Sequence, residues 1–280
     1  MSGVHSNVAG AAVEARAVLA AWVLASSLLA GCTTAVERTD AIAARHGWSR
    51  AVVEGAQFRH VVFDNGIRDV TRPLHVYLEG DGRPYLDRWT IASDPTPRRP
   101  VMLELMALDP GPAVLVGRPC YSGLARDPPC TPLDWTIGRF SERVVDSLAS
   151  VIEQLRRDRG QTAIHLFGHS GGGALAVLLA GRLPGVERVV TLAGNLDPES
   201  WARHHDYALL ADSLNPSTLG GLPVSVDQAH LAGELDDVVP AWMIRDAARR
   251  LGTATVEIVP GVAHSCCWAA RWRRLLEESP

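Results

Sequence analysis

Thr162–Leu183 has the sequence TAIHLFGHSGGGALAVLLAGRL, in which two apolar runs flank a glycine-rich turn. The first run, Thr162–Phe167, is typical of a strand buried on both faces of a sheet. The second run, Gly172–Leu183, is long enough for a helix. The segment therefore predicts a strand, a tight turn and a helix in direct succession.

The turn matches the pattern G-x-S-x-G at 168–172, in which the serine can serve as a nucleophile. A serine on such a turn adopts strained backbone angles, and the flanking glycines leave room for it. The turn lifts the Ser170 hydroxyl above the sheet, and the N-terminus of the following helix favours developing negative charge. A phosphate-binding turn is the alternative, but the pattern GxxxxGK[ST] is absent and the chain contains no Lys. Ser170 is therefore the candidate nucleophile.

Strand and helix patterns alternate along most of the chain. The predicted strands are Gln57–Phe63, Leu74–Glu79, Ala113–Gly117, Thr162–Phe167, Arg188–Ala193, Val226–Ala232 and Thr255–Val259. The predicted helices are Pro100–Leu108, Arg139–Arg159, Gly172–Leu183, Ala241–Leu251 and Cys267–Glu278, after a first helix that ends near Trp48. This alternation predicts an α/β fold with a mostly parallel central sheet flanked by helices.

Length and composition exclude several classes of protein. The chain has 280 residues, of which 47% are hydrophobic and 21% charged, with 25 Gly and 18 Pro. This profile excludes a collagen, a coiled coil and a disordered tail protein. Because the formal net charge is −4, no basic field favours nucleic acid, and we expect no nucleic-acid partner.

Two further motifs follow the candidate nucleophile along the chain. Gly233–Pro240, GELDDVVP, comes after a predicted strand and carries two adjacent acids. Val259–Ser265, VPGVAHS, begins at the end of the last predicted strand and carries His264. A serine hydroxyl is a poor nucleophile until a base takes its proton. An imidazole, with an unperturbed pKa of about 6.5, suits that task, and a carboxylate can fix its tautomer.

Taken in this order, the three motifs resemble those of the α/β-hydrolase superfamily. The likeness covers about Leu74 to Trp268, and the superfamily order is nucleophile, acid and histidine. The resemblance implies an α/β-hydrolase fold with Ser170 as nucleophile, Asp236 as the acid and His264 as the base. Shorter segments resemble a subgroup of uncharacterised bacterial α/β hydrolases: EGDG at 79–82, SDPTPR at 93–98, RPC at 118–120 and WT at 135–136.

Other acids and histidines are alternatives with structural interpretations. Asp237 lies beside Asp236 and is an alternative acid, as is Asp197 after the strand that follows the nucleophile. His169 adjoins Ser170, but its side chain is expected to leave the turn in another direction. The remaining histidines are expected to be structural or to lie on a lid or the surface: His165, His204 and His205.

The resemblance also implies an oxyanion hole made of two backbone N–H groups. Gly171 would supply one, and Asp81, in the loop after LHVYLE, the other. Many relatives begin this loop with His-Gly, whereas Glu79 takes the His position here. Because a carboxylate would repel an oxyanion, we expect the Asp81 side chain to turn outward toward Arg83. Glu79 is expected to pair with Arg118.

The N-terminal segment predicts export. Ala17–Ala30 carries no charge; it is too short to span a bilayer but fits the apolar region of a signal peptide. Leu29–Cys32, LAGC, resembles the bacterial lipoprotein processing box, which implies cleavage before Cys32 and lipid on that cysteine. The alternatives are an ordinary signal peptide and a buried helix with an incidental cysteine. Thr33 then implies the periplasmic face of the outer membrane. The expected organisation is a signal peptide at 1–31, a tether and first helix at 32–50, and an α/β-hydrolase domain at 51–280.

Export also affects the cysteines, because disulfides persist in an oxidising compartment. Cys120 and Cys130 share one proline-rich loop and are predicted to form a disulfide. Cys266 and Cys267 are adjacent and are predicted to be two buried thiols. We expect the Cys120–Cys130 loop to form one rim of a substrate pocket. The irregular segment at 195–223 is expected to be a lid or binding element at the opposite rim, with Trp201 and Tyr207.

The function implied by the resemblance is a serine hydrolase that cleaves an ester or related acyl bond through an acyl-enzyme. No cofactor or metal is required. The alternatives are an acyltransferase, thioesterase or peptidase with the same triad, or a lipid-anchored binding protein without catalysis. The expected partners are a small-molecule or lipid ester and a membrane reached through the lipid anchor, and the expected state is a monomer.

Overall fold

A computed structural model describes residues 33–253 and 255–278. The predicted signal peptide and the lipidation site at Cys32 lie outside these residues. The strands are β1 Ser49–Glu54, β2 Arg59–Asp64, β3 Leu74–Leu78, β4 Ala113–Val116, β5 Ile164–His169, β6 Val186–Leu192, β7 Asp227–Gly233 and β8 Val256–Val259. The α-helices are α1 Ala35–Arg45, α2 Val101–Met106, α3 Glu142–Asp158, α4 Gly171–Ala180, α5 Pro198–His204, α6 Ala241–Arg250 and α7 Ala269–Glu277.

The strands form one eight-stranded sheet in the order β1-β2-β4-β3-β5-β6-β7-β8. From β4 to β8 every neighbouring pair is parallel, whereas β2 runs antiparallel to both β1 and β4. This arrangement is the predicted mostly parallel sheet. Because the strands from β3 to β8 are parallel, their carboxyl ends share one edge, where ligands bind in open α/β sheets.

Both faces of the sheet are covered by helices, which explains why the central strands β3, β4 and β5 are buried along their whole length. Along β3, Leu74, Val76 and Leu78 pack into a core with α3, α4 and α6. Tyr77 points to the other face and packs into a second core with α1, α2 and α7. The central strands therefore contribute alternate side chains to two separate cores.

The edge strand of the sheet, β1, was not predicted from the sequence. Five of its six residues are exposed, so its sequence SRAVVE lacks the buried alternation that marks a strand. Pairing with β2 holds it in place, from Ser49 opposite Asp64 to Glu54 opposite Arg59. The predicted tether and first helix at 32–50 therefore includes α1 and the first residues of this strand.

The structure contains the disulfide predicted between Cys120 and Cys130. The prediction for the other two cysteines is wrong. Cys266 and Cys267 are joined by a disulfide, and both residues are exposed. Their exposure follows from their position in the turn before α7, where the chain buries Trp268 instead. No helix among the described residues is long and apolar enough to cross a membrane.

Candidate active site

Ser170 lies on a sharp turn between the end of β5 and the start of α4. Its φ is 54°, a left-handed value that non-glycine residues rarely adopt. Crowding around the turn explains the neighbouring glycines. A Cβ on Gly168 would lie 2.2 Å from the Gly172 carbonyl oxygen, and one on Gly172 would lie 2.1 Å from the Leu78 carbonyl oxygen. The turn therefore depends on glycine at both positions and holds the serine hydroxyl at the carboxyl edge of the sheet.

A hydrogen-bonded line joins Ser170 to His264 and Asp236. His264 Nε2 lies 3.0 Å from Ser170 Oγ, and His264 Nδ1 lies 2.9 Å from Asp236 Oδ2. With the proton on Nδ1, the imidazole donates to the carboxylate and accepts the serine proton at Nε2. The structure thus brings together the three side chains that the sequence analysis selected, in the order that nucleophile activation requires.

Asp236 is fixed by the turn that follows β7. Its Oδ1 accepts hydrogen bonds from the backbone N–H groups of Val238 and Val239, both at 2.9 Å, which leaves Oδ2 for the imidazole. The alternative acid Asp237 is exposed, and within the described chain it makes no contact with His264. The geometry therefore selects Asp236 of the two adjacent acids.

Hydrogen bonds to the backbone carbonyl of His264 fix the position of this residue. The carbonyl oxygen accepts hydrogen bonds from His169 Nε2 at 2.7 Å and from Trp268 Nε1 at 3.0 Å. Burial, together with the neighbouring His264, lowers the pKa of His169 to about 4, so its imidazole is neutral at physiological pH. The His169 side chain lines the same cavity as Ser170, with its ring 4.9 Å from the His264 ring, and it positions the histidine loop rather than activating the nucleophile.

Two backbone N–H groups flank the nucleophile. The Gly171 amide opens α4, and the first amides of a helix have no acceptor within it. The Asp81 amide finds no acceptor among the described residues, and its loop adjoins Gly171. The Asp81 carbonyl is fixed by the Tyr121 hydroxyl, which donates to it at 3.0 Å. These two amides are the candidate hydrogen-bond donors of an oxyanion hole.

The expected partner of the Asp81 carboxylate was wrong. The carboxylate does not turn toward Arg83, but accepts hydrogen bonds from Arg118 Nη1 at 2.5 Å and Arg139 Nη1 at 2.9 Å. Burial alone would raise the pKa of Asp81, but the charges and hydrogen bonds of Arg139 and Arg118 outweigh it and lower the pKa. Two buried guanidinium groups thus neutralise the carboxylate beside the candidate oxyanion hole. Arg83 instead donates to the Leu86 carbonyl.

The expected pair of Glu79 and Arg118 was also wrong, because Arg118 is bound to Asp81. Glu79 Oε1 accepts a hydrogen bond from the Leu103 amide at 2.9 Å, within α2. Burial raises the pKa of Glu79 to about 7, although hydrogen bonds from backbone amides oppose the shift. Glu79 therefore ties the candidate oxyanion loop to α2 rather than forming an ion pair.

A cavity of about 290 Å³ opens above Ser170. Trp201, from the irregular segment 195–223, lines it together with Val238, whereas Tyr207 does not. The Cys120–Cys130 loop does not form the predicted rim, because it packs beneath Asp81 through Tyr121. Three arginines in the cavity wall were not predicted as site residues: Arg98, Arg99 and Arg139. The charged run PRRP at 97–100 is a signal for the first two, and no local pattern marks Arg139.

The remaining candidates lie elsewhere. Asp197 caps α5 through the Ser200 amide and binds Arg250 Nη2, so it is not the acid. His165 is buried in β5, and His205 contacts the Val238 carbonyl while His204 is exposed. Within residues 33–253 and 255–278, no group of three or more His, Cys, Asp or Glu residues could hold a metal ion.

Comparison with known proteins identifies the fold. No protein-family model matches the chain, and no curated protein matches it in sequence. A membrane phospholipase A, described as a bacterial virulence factor, superposes with a TM-score of 0.59 at 14% identity, over 95% of this chain and 96% of its own. An esterase from Pyrococcus furiosus gives 0.57 at 12% identity, over 84% and 90%. A lidless α/β serine hydrolase from Xanthomonas campestris gives 0.53 at 15% identity, over 82% and 92%.

These similarities, together with the sheet order and the turn at Ser170, show that the chain has the α/β-hydrolase fold. The fold class predicted from the sequence is confirmed. At such low identities the similarity establishes the architecture alone, so any activity must be argued from the site itself.

Proposed function

We propose that the protein is a serine hydrolase that cleaves an ester or related acyl bond through an acyl-enzyme. The observation that carries the proposal is the line from Ser170 Oγ to His264 Nε2, at 3.0 Å, and from His264 Nδ1 to Asp236 Oδ2, at 2.9 Å. The names of the structural neighbours, which include an esterase and a phospholipase, support the same class of reaction.

In the proposed first half-reaction, His264 Nε2 takes the Ser170 proton as Oγ attacks the carbonyl carbon of the substrate. The carbonyl oxygen becomes an oxyanion, which the amides of Gly171 and Asp81 stabilise. Collapse of this intermediate breaks the bond to the leaving group, which receives the proton from His264. Asp236 holds the imidazole in the required tautomer and stabilises its cation.

In the second half-reaction, water replaces the leaving group. His264 accepts a proton from the water as its oxygen attacks the acyl carbon, and a second oxyanion forms in the same hole. Its collapse releases the carboxylic acid and returns the proton to Ser170 Oγ. Every step uses side chains and amides of this chain together with water.

Hydrolysis of para-nitrophenyl butyrate by the wild type and single variants tests the proposal. Ser170→Ala and His264→Ala should abolish measurable turnover, and Asp236→Asn should lower kcat by roughly 10³–10⁴-fold because the imidazole tautomer is lost. Asp237→Asn, the matched control one residue away, should change kcat by less than about threefold, since surface substitutions are usually mild. Full activity of Ser170→Ala would refute the assignment of Ser170 as the nucleophile. A large loss of activity in Asp237→Asn would refute the assignment of Asp236 as the acid.

We further propose that the chain is anchored to the cell envelope by lipid on Cys32. The support is in the sequence: an uncharged segment at 17–30 followed by LAGC at 29–32. Metabolic labelling with an alkyne fatty acid should mark the wild type and not Cys32→Ala. Equal labelling of the two proteins would refute the anchor.

A further inference from the structure

The cavity above Ser170 has an excess of positive charge. Three arginines line it, against the carboxylates of Glu79 and Asp81. The Asp81 charge is shared between two buried guanidinium groups, those of Arg118 and Arg139, so this cluster alone carries a net positive charge. Burial raises the pKa of Glu79 to about 7, which limits its negative charge near neutral pH.

Arg139 is buried but retains unused hydrogen-bond donors. Its side chain is 6% exposed; Nε donates to the Thr136 carbonyl at 2.7 Å and Nη1 to Asp81 at 2.9 Å. Nη2 has no acceptor among the described residues, although Arg139 lines the cavity. A buried guanidinium with free N–H groups at a cavity wall can bind a carboxylate or phosphate oxygen of a ligand.

Arg98 and Arg99 belong to the segment 95–99, whose backbone contacts the candidate oxyanion loop. The Arg83 amide donates to the Pro95 carbonyl at 2.8 Å, and a Cβ on Gly82 would lie 2.0 Å from that same oxygen. The segment 95–99 therefore packs directly on the candidate oxyanion loop. Both arginines are exposed, and within the described chain neither guanidinium forms an ion pair.

The same cavity offers apolar surface beside the charge. Trp201, Val238, Pro84 and Pro97 line it together with the arginines. An apolar acyl or alcohol portion can therefore lie against these side chains while a charged group reaches the guanidinium groups. This combination favours a bifunctional ligand over a wholly apolar one.

We propose that the enzyme prefers esters that carry a carboxylate or phosphate group, with the anion bound by Arg139, Arg98 and Arg99. The inference rests on the proposed hydrolase function and names its substrate class. Arginine suits this role because its planar donor pairs match the oxygens of both anions.

Matched pairs of esters test the preference on the full-length protein. The first pair is the para-nitrophenyl ester of hexanoate and the para-nitrophenyl monoester of adipate, which differ by a terminal carboxylate. The second pair is hexanoyl glycerol and hexanoyl glycerol phosphate. In at least one pair the wild type should show a higher kcat/KM for the anionic member, by roughly tenfold, and added salt should reduce that ratio through screening.

Arg98→Ala with Arg99→Ala should lower the anionic-to-neutral ratio of kcat/KM by about threefold, because both arginines are exposed and Arg139 still binds the anion. The control is Arg273→Ala with Arg274→Ala, two exposed arginines on α7 that do not line the cavity. This control removes the same charge and should leave the ratio unchanged. A preference in the adipate pair alone assigns a carboxylate ligand, and one in the glycerol pair alone assigns a phosphate.

Different results would overturn the substrate class and the proposed hydrolase function. Ser170-dependent hydrolysis of the neutral esters with no anionic preference would overturn the substrate class and leave the hydrolase intact. An equal fall of the ratio in the Arg273→Ala and Arg274→Ala control would also overturn it, because the effect would then be one of net charge. Hydrolysis that does not depend on Ser170 would overturn the proposed function and the substrate class with it.

Discussion

The Asp81 carboxylate binds two buried arginines beside the candidate oxyanion loop, and its replacement tests whether these ion pairs stabilise the loop. Its side chain is 15% exposed, whereas the Arg118 and Arg139 side chains to which it binds are 1% and 6% exposed. Asp81→Asn keeps the backbone N–H and the side-chain shape but leaves two buried guanidinium groups without a carboxylate. Breaking a buried pair costs about 3–5 kcal/mol, so the free energy of unfolding should fall by about that amount at pH 7.

Urea denaturation followed by circular dichroism measures this loss. Asp206→Asn is the matched control, because the Arg88–Asp206 pair has side chains 59% and 93% exposed and should contribute less than about 1 kcal/mol. A loss in Asp81→Asn that is no larger than that of the control would refute the claim that this cluster stabilises the loop.

The pH dependence of the same variant has a defined sign. The arginines hold the pKa of Asp81 below its ordinary value, so the stabilisation is present above the pKa of the unfolded chain, about 3.9. It is lost as the pH falls through the lower pKa of the folded state. The difference in unfolding free energy between wild type and Asp81→Asn should therefore be largest near neutral pH and shrink below about pH 4.

Two further predictions concern the turn and the loop. Gly172→Ala would place a Cβ 2.1 Å from the Leu78 carbonyl oxygen and should lower the free energy of unfolding by at least about 2 kcal/mol. Gly181→Ala, whose nearest contact is 3.6 Å, should cost under about 1 kcal/mol in the same urea titration; equal losses would contradict the packing argument. Burial raises the pKa of Glu79 to about 7, so the stability gained from its neutral form is present below about pH 4.5 and lost as the pH rises through 7. The unfolding free energy of wild type relative to Glu79→Gln should fall by roughly 3 kcal/mol between about pH 5 and 8, and parallel pH curves would contradict this.

The residues that could be predicted from the sequence are those fixed by local patterns. Ser170 lies in a strand–turn–helix motif that is recognisable over a few residues, although the close approach that requires Gly172 is to the Leu78 carbonyl oxygen on the neighbouring strand β3. Asp236 and His264 each follow a strand in a short recognisable turn, so the parallel sheet brings them to the same edge as Ser170. Motif order and strand placement were enough to select all three.

Two of the errors concern partners that are distant in sequence. Asp81 binds Arg139, which is 58 residues away, and no local pattern reveals that pair. Glu79 is satisfied by the amide of Leu103, and a backbone donor leaves no trace in side-chain identity. The edge strand β1 was missed for a different reason: pairing with β2 stabilises it while most of its side chains stay exposed.

Treatment of the purified full-length protein with a fluorophosphonate probe, followed by mapping of the adduct by mass spectrometry, tests whether Ser170 is an activated nucleophile. Because an activated serine attacks the phosphorus, we expect one adduct, on Ser170, that disappears in His264→Ala. Unchanged labelling of His264→Ala, an adduct on another serine, or no adduct on folded protein that hydrolyses no ester would contradict it.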